Sequence, residues 1–439
     1  MKKKPCALVW LRDDLRLSDH PAIHIASIEY QKVAIVATLD PQENLNERQI
    51  QWKLASIDSL GVAFKKGKVS KTLFDVAKRI KASALIWCEG KTPKDLLEDQ
   101  RLKQGCIDAN IEPIIVENNY LIDPKTCLSR SQTPFKKFSA FKHAAQKEIK
   151  NTSKFSKIPK SQLIKISSDS CKSKSFDCPY WIPGEAAAQK RMANFIKNDL
   201  KDYHKNRDDY TIAKTSMLSV HLRFGEISIH ELVNKISSHT GLGKEVFFSE
   251  LLWREFSYYL LVHFPYMTNQ PFASKFKKFA WKHQPTHFKK WKEGKTGYPV
   301  IDAAMRELKE TGWMHNRLRM LVASFLSKHL LIHWTKGERY FAEQLMDFDL
   351  ANNLTGWQWS AGQGIDQAPY FRIFNPVIQS KKFDPEGEYI KKWVPELSEL
   401  TKREIHEPYQ FEETGLSYPD PIVNHKKATK EALAAYKKL

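Results

Sequence analysis

The apolar residues of this 439-residue chain change their spacing part-way along it, which rules out any single regular architecture for the whole. In the first 125 residues, runs rich in β-branched side chains at 7–11 (ALVWL), 33–39 (VAIVATL), 84–88 (ALIWC) and 114–117 (IIVE) alternate with amphipathic stretches such as 75–81 and 96–109. Short continuous apolar runs separated by helical spacing are what strands buried on both faces require, so a parallel sheet with crossover helices is predicted. After Trp181 the pattern differs. EAAAQKRMANFIKNDL, VFFSELLWREFSYYLLVHF, YPVIDAAMRELKETG and RMLVASFLSKHLLIHW place apolar residues three and four apart, the spacing of helices with one buried face. Between the two, residues 126–185 dissolve into lysine and serine and read as an interdomain linker. The expected fold is an α/β domain at 1–125, with a Rossmann-like parallel sheet, joined by that linker to a larger all-α domain at 186–439.

Composition narrows the function classes. Seventy Lys and Arg against 50 Asp and Glu give a formal charge of +20, which suits a polyanionic partner or, as the plainer alternative, a lysine-rich solvated surface. No apolar run approaches the roughly 20 residues that span a bilayer, and the short apolar run behind the first lysines lacks the form of a signal peptide. A cytoplasmic protein with no membrane association is expected. The six cysteines, Cys6, Cys88, Cys106, Cys127, Cys171 and Cys178, form no CxxC pair and lack histidines at zinc spacing, so no metal site is expected. Phosphate-binding glycine loops, HExxH and the nucleophile elbow are missing from the sequence as well.

What remains is aromatic. Eight of the twelve tryptophans fall between Trp253 and Trp393, and residues 312–374 mix them with charge in a way that packing alone rarely demands. Such a half can hold a planar cofactor, stack on bases and pass single electrons. On a helix through ELLWREF, Glu250, Trp253 and Arg254 share a face, so a carboxylate stands beside an indole; an amphipathic helix with an ion pair gives the same pattern. In GWMHNRLRM, Asn316 and Met320 lie four apart with Arg319 on the adjacent strip, while Arg317 points elsewhere. An amide can accept from and donate to a pyrimidine edge, and a thioether packs on an apolar ring without fixed geometry. Asp347 and Asp349 are too few for a calcium loop and suit a carboxylate that balances a buried arginine such as Arg319. Thr215, Ser216 and Ser219, preceded by Tyr203 and Arg207, could bind phosphate at a helix start or simply cap it.

Together these segments resemble the DNA photolyase and cryptochrome family, most closely its class I cyclobutane pyrimidine dimer photolyases. The match runs from LVWLRDDLRLSDHPAI at Leu8 through YHKNRDDYTIAKTSMLS and ELLWREF to PYFRIFNPVIQSKKFDPEGEYIKKWVPEL, HEPYQF and YPDPIVNHKKA, covering nearly the whole chain. The resemblance implies a non-covalent FAD, FADH⁻ when active, held by Tyr203 and by Thr215, Ser216, Met217, Leu218 and Ser219 at its phosphates, and by Arg319, Asp347, Phe348 and Asp349 at its ring system. Asn353 falls where the family sets an asparagine at flavin N5. A flipped pyrimidine dimer in UV-damaged DNA would meet Glu250, Trp253, Asn316, Met320 and Trp359; photolyases are among the enzymes that take bases out of the stack. Arg207, Arg254, Arg317, Arg372 and Gln379 would serve the DNA strand. Trp357, Trp334 and Trp281 match the family's tryptophan chain to the flavin. The implied activity is deoxyribodipyrimidine photo-lyase, light-driven electron transfer to the dimer and back, by a monomer; a blue-light sensor of the cryptochrome type is the alternative.

Choice among relatives follows from particular positions. The (6-4) photolyases and animal cryptochromes usually carry histidines where this chain has Asn316 and Met320, the iron-sulfur branch needs cysteines that are missing after Cys178, and a long signalling tail is not read. Two departures stand out. NNLTGW, read from Asn352, puts Leu354 and Thr355 where the family has Asn-Gly. After ALIWC, EGKTPKDLLEDQR lacks the aromatic and acidic antenna motif, so no folate antenna is expected and no deazaflavin site can be read.

Overall fold

The computed structural model describes residues 3–117, 120–149, 155, 158–170, 178, 180–212, 214–366, 371–411 and 417–439; Cys171 and the serine-rich residues beside it lie outside the described residues. The chain divides into two compact units, one of 1–131, 143–201 and 216–258, the other of 132–142, 202–215 and 259–439.

Five parallel strands form the sheet of the first unit: β1 (Lys4–Leu11), β2 (Tyr30–Leu39), β3 (Ala63–Lys66), β4 (Ala84–Cys88) and β5 (Glu112–Val116), in the order β3-β2-β1-β4-β5. α1 (Pro21–Glu29), α2 (Glu47–Leu60), α3 (Val69–Arg79) and α4 (Pro93–Asp108) make the crossovers, and the order reverses beside β1, as in half of a Rossmann sheet. Val9 of β1 lies opposite Ile35 on one side and Ile86 on the other, and Ala7, Leu8, Val9 and Leu11 are fully buried. Burial on both faces is the reason these strands read as unbroken apolar runs. β3 is an edge strand, AFKK, whose two lysines hid it from that reading. Two buried indoles are tied down: Trp10 Nε1 donates to Thr38 at 2.9 Å and Trp87 Nε1 to Asp99 at 2.9 Å. α2 and α4 open with reciprocal caps, Asn46 with Gln49 and Thr92 with Asp95.

The expected linker holds more order than its lysine content suggested. α5 (Phe138–Glu148) lies within it, burying Phe138, Phe141 and Ala145 at spacings of three and four, and Leu163 bridges Val33 at the border of the sheet.

α6 (Leu242–His263) contributes residues to both units. The second unit is helical and carries α7 (Asn316–Ser324), α8 (Trp334–Gln344), α9 (Leu350–Ser360), α10 (Pro376–Phe383) and α11 (His425–Lys437). α7 runs on into a π-helical turn at Phe325–His329. The segments singled out by their chemistry start these helices. His315 caps α7 by accepting the Arg317 N–H, Asp349 caps α9 through Asn352, and Asn375 caps α10 through Val377 and Ile378. Among the described residues no helix is long and apolar enough to cross a membrane.

Candidate functional site

Within the second unit, Arg319 and Asp347 meet. Arg319 Nη2 donates to both carboxylate oxygens, at 3.0 and 2.8 Å, and its Nε donates to the Met314 carbonyl at 2.7 Å. Asp347 is 7% exposed, so stripping it of this partner would cost about 3–5 kcal/mol. Asn353, in the first turns of α9, gives its Nδ2 to the Glu338 carbonyl (3.2 Å) and carboxyl (3.0 Å) on α8, which leaves its own amide oxygen as an acceptor. Burial raises the Glu338 carboxyl above its usual range, against the opposing pull of the Asn353 amide. A fixed cation, a buried carboxylate and an amide oxygen available to an N–H form a donor and acceptor set that fits a flavin ring with its carbonyls, imide and reducible nitrogen. Leu354 and Thr355 do not break α9: Leu354 is buried, and the Thr355 hydroxyl donates back to the Ala351 carbonyl at 2.8 Å.

The tryptophans divide between two surroundings. Trp357 is 2% exposed, packs edge-on to Phe341 and Trp291, and lies so close over Gly337 that a Cβ there would sit 2.1 Å from its ring. Gly337 is three residues beyond the buried Trp334, so one face of α8 carries both rings. Trp281 is half-buried and touches Phe279 and His333. The indole N–H groups of Trp334 and Trp357 are buried without a hydrogen-bond partner.

A cleft of about 650 Å³ lies beside α7, lined by Lys205, Asp208, Arg317, Met320, Arg372 and Gln379 among others. Arg317 donates to Asp208 at 2.7 Å with its guanidinium 4.1 Å over the Phe383 ring, and Arg372 lies 5.0 Å over Phe374. Asn316 is exposed, its Nδ2 4.0 Å from Met320 Sδ, so amide and thioether stand together as the helix spacing required. Arg207 pairs with Asp208 at 3.7 Å. Beneath the cleft Lys328 is 4% exposed; it donates to the Arg372 carbonyl at 2.6 Å, and burial together with Arg372 pushes its ammonium down to about 7. Tyr203, Phe348 and Trp359 also belong to this unit, the first two buried and the third half-buried.

The first unit holds the other expected site residues. Ser216 to Ser219 enter a five-residue helix through Met217, at φ 51°, whose carbonyl accepts the Trp181 N–H at 2.7 Å; the helix has no side-chain cap. That positive φ is the strained feature of the segment. Glu250 and Trp253 are both half-buried on α6, one turn apart. Arg254, expected on the DNA strand, donates to the buried Glu255 at 2.7 Å and lies 4.9 Å over Tyr258, so it reaches outward only by giving up a pair that a buried carboxylate needs.

The sequence reading missed Glu338, Asp208, Phe383 and Lys328. None carries a local signal for its role, because Glu338 meets Asn353, Asp208 meets Arg317, Phe383 meets Arg317 and Lys328 meets Arg372 only in the fold. Among the described residues the one convergence of metal-ligating side chains is Asp14, His20 and Cys88. His20 Nδ1 caps α1 by accepting the Ile23 N–H, and its Nε2 lies 3.0 Å from an Asp14 carboxylate oxygen.

A parallel-sheet unit joined to a helical unit that carries this donor set can hold a planar cofactor, and the comparisons say which family is built this way. The sequence model for the FAD binding domain of DNA photolyase matches residues 247–438 and that for DNA photolyase matches 7–161. A deoxyribodipyrimidine photo-lyase of Agrobacterium fabrum is 36% identical, over 98% of this chain and 97% of its own. The crystal structure of a bacterial class III photolyase from Agrobacterium tumefaciens superposes with TM-score 0.91 at 34% identity, covering 100% of this chain and 98% of that one. A cryptochrome of Synechocystis does so with TM-score 0.89 at 27% identity, over 98% and 99%. The chain belongs to the DNA photolyase family, and FAD is its cofactor.

Proposed function

We propose that this protein is a monomeric, cytoplasmic deoxyribodipyrimidine photo-lyase that repairs cyclobutane pyrimidine dimers in UV-damaged DNA, with residues 1–125, 126–185 and 186–439 as its α/β domain, linker and catalytic domain. The observation that carries the reading is the Asn316 and Met320 pair, an exposed amide beside a half-buried thioether that lines a cleft whose arginines lie on aromatic faces. FAD, when bound in its reduced form, supplies a light-driven electron to the dimer and recovers it. Arg319, Asp347, Phe348, Asp349 and Asn353 orient the flavin ring, and Tyr203 with Thr215 to Ser219 hold the phosphates. Asn353 offers its amide oxygen to an N–H on the ring while Glu338 fixes the amide's orientation. Glu250 hydrogen-bonds the dimer; Trp253, Met320 and Trp359 pack on its rings, and Asn316 reads its carbonyl and imino edge. Arg207, Arg317, Arg372 and Gln379 hold the strand, largely by charge, so affinity falls as salt rises. Because no acid, base or metal turns over, the work of the side chains is positioning and exclusion of water.

The testing experiment compares lesions. Purified protein is illuminated with oligonucleotides carrying either a cyclobutane dimer or a (6-4) product; loss of the first alone is expected, and loss of the (6-4) product, or of neither, contradicts the assignment of Asn316 and Met320.

A further inference from the structure

His333 packs against both Trp281 and Trp334, the two outer tryptophans of the proposed electron route. Its ring centroid is 5.1 Å from that of Trp281, tilted by 58°, and 5.9 Å from that of Trp334, nearly parallel at 25°. We propose that His333 is a positioning residue of that route: a neutral imidazole that fills the gap between Trp334 and Trp281 and closes the outward path when it takes up a proton. The inference rests on the tryptophan-route reading.

Three features keep the ring neutral. It caps α8, its Nδ1 accepting from the Thr335 N–H at 3.3 Å with the Thr335 hydroxyl 2.8 Å away, an arrangement that puts the single proton on Nε2. A second proton would have to enter at Nδ1, against that N–H and at the positive end of the helix. Burial comes first among the causes that hold its pKa below the ordinary histidine value, with Lys336 and Arg339 of the same helix adding to it. The loop that carries Trp281 adds Lys282 and His283 next in sequence, and Lys282 pairs with Glu431 at 2.7 Å.

The step is a one-electron transfer without proton movement. An electron leaves the Trp281 ring and fills the vacancy on oxidised Trp334, leaving one positive charge on Trp281; an external thiol reductant then supplies the electron that restores Trp281. Among the described residues the N–H groups of Trp334 and Trp357 face no acceptor that could take a proton and trap the charge on either ring. A protonated His333 places a second positive charge within 6 Å of both outer rings and opposes the arrival of charge at either.

The experiment follows photoreduction of the oxidised holoprotein under blue light with dithiothreitol between about pH 5 and 8, the range in which histidine titrates. The wild-type rate is expected to fall on the order of tenfold toward the acid end. His333→Phe, a neutral ring, should stay fast throughout, and His333→Arg should be slow at every pH. His333→Asn, which retains a cap, should lose the acid limb even if the Phe variant folds poorly. An NMR titration of the His333 ring should give the same midpoint as the acid limb, a readout that a merely structural role would not produce. An acid limb that persists without the histidine, or a wild-type rate in His333→Arg, overturns the proposal. Normal photoreduction in Trp334→Phe would instead contradict the tryptophan route itself.

Discussion

The cleft at Arg317 and the aromatic interior around Trp357 belong to the same helical unit and obey opposite electrostatic rules. The cleft is lined by Lys205, Arg317, Arg372 and Lys382 against Asp208 and Asp209, and its two arginines each lie on an aromatic face. The interior holds Trp357 against Phe341, Trp291 and Gly337, with its N–H unpartnered. Charge at the surface suits a polyanion, while around Trp357 the indole N–H itself meets no acceptor, and the nearby Glu338 carboxyl is taken up by Asn353. On the proposed reading, DNA binding and electron passage would then fall to separate regions of one helical unit.

That separation can be broken in order of expected effect. Trp357→Phe removes the innermost ring of the route while leaving the cleft intact. Photoreduction of oxidised flavin should fall to background, while repair by chemically reduced enzyme and affinity for dimer DNA stay at wild-type values; a loss of affinity would show that the two regions are coupled. Arg317→Ala should do the reverse. Binding to dimer DNA should weaken about 10- to 100-fold, with the salt slope reduced by about one, while photoreduction is unchanged. Titration of binding against salt, beside the photoreduction rate, checks both halves.

A smaller effect concerns the ground beneath the cleft. His315 caps α7 from a buried position, and burial is the main reason its pKa drops to about 4. Since the unfolded chain takes up this proton near 6.5 and the folded protein only near 4, stability from His315 is complete above about pH 6.5 and is lost as pH falls through about 4. The loss is on the order of 2–3 kcal/mol. His315→Asn keeps a cap but not the titration, so urea melts at pH 7 and pH 4 should differ less for the variant than for wild type; an equal difference would assign acid sensitivity elsewhere.

How much of this was legible in the sequence depended on whether a feature was local. The central strands were legible because burial on both faces writes itself as a continuous apolar run, and α7 because its apolar residues recur three and four apart. β3 was not, since an edge strand of four residues with two lysines leaves no periodic trace. α5 was hidden by the lysines around it, although Phe138 and Phe141 carried the spacing. At the site, Arg319 and Asp347 were paired on chemistry and resemblance across 28 residues, and the ion pair is present. Glu338, fifteen residues before Asn353 and on another helix, gave no signal. His333 gave no signal in the sequence, and only the packing of Trp281 against it draws attention to it.

The central claim is that light, flavin and this cleft together reverse pyrimidine dimers. The most direct measurement is the recovery of absorbance near 260 nm of a thymine-dimer oligonucleotide mixed with the chemically reduced protein, in parallel illuminated and dark samples. Recovery only in the light is the expected result. Binding of the oligonucleotide with no recovery under illumination would contradict the account and leave a light sensor in its place.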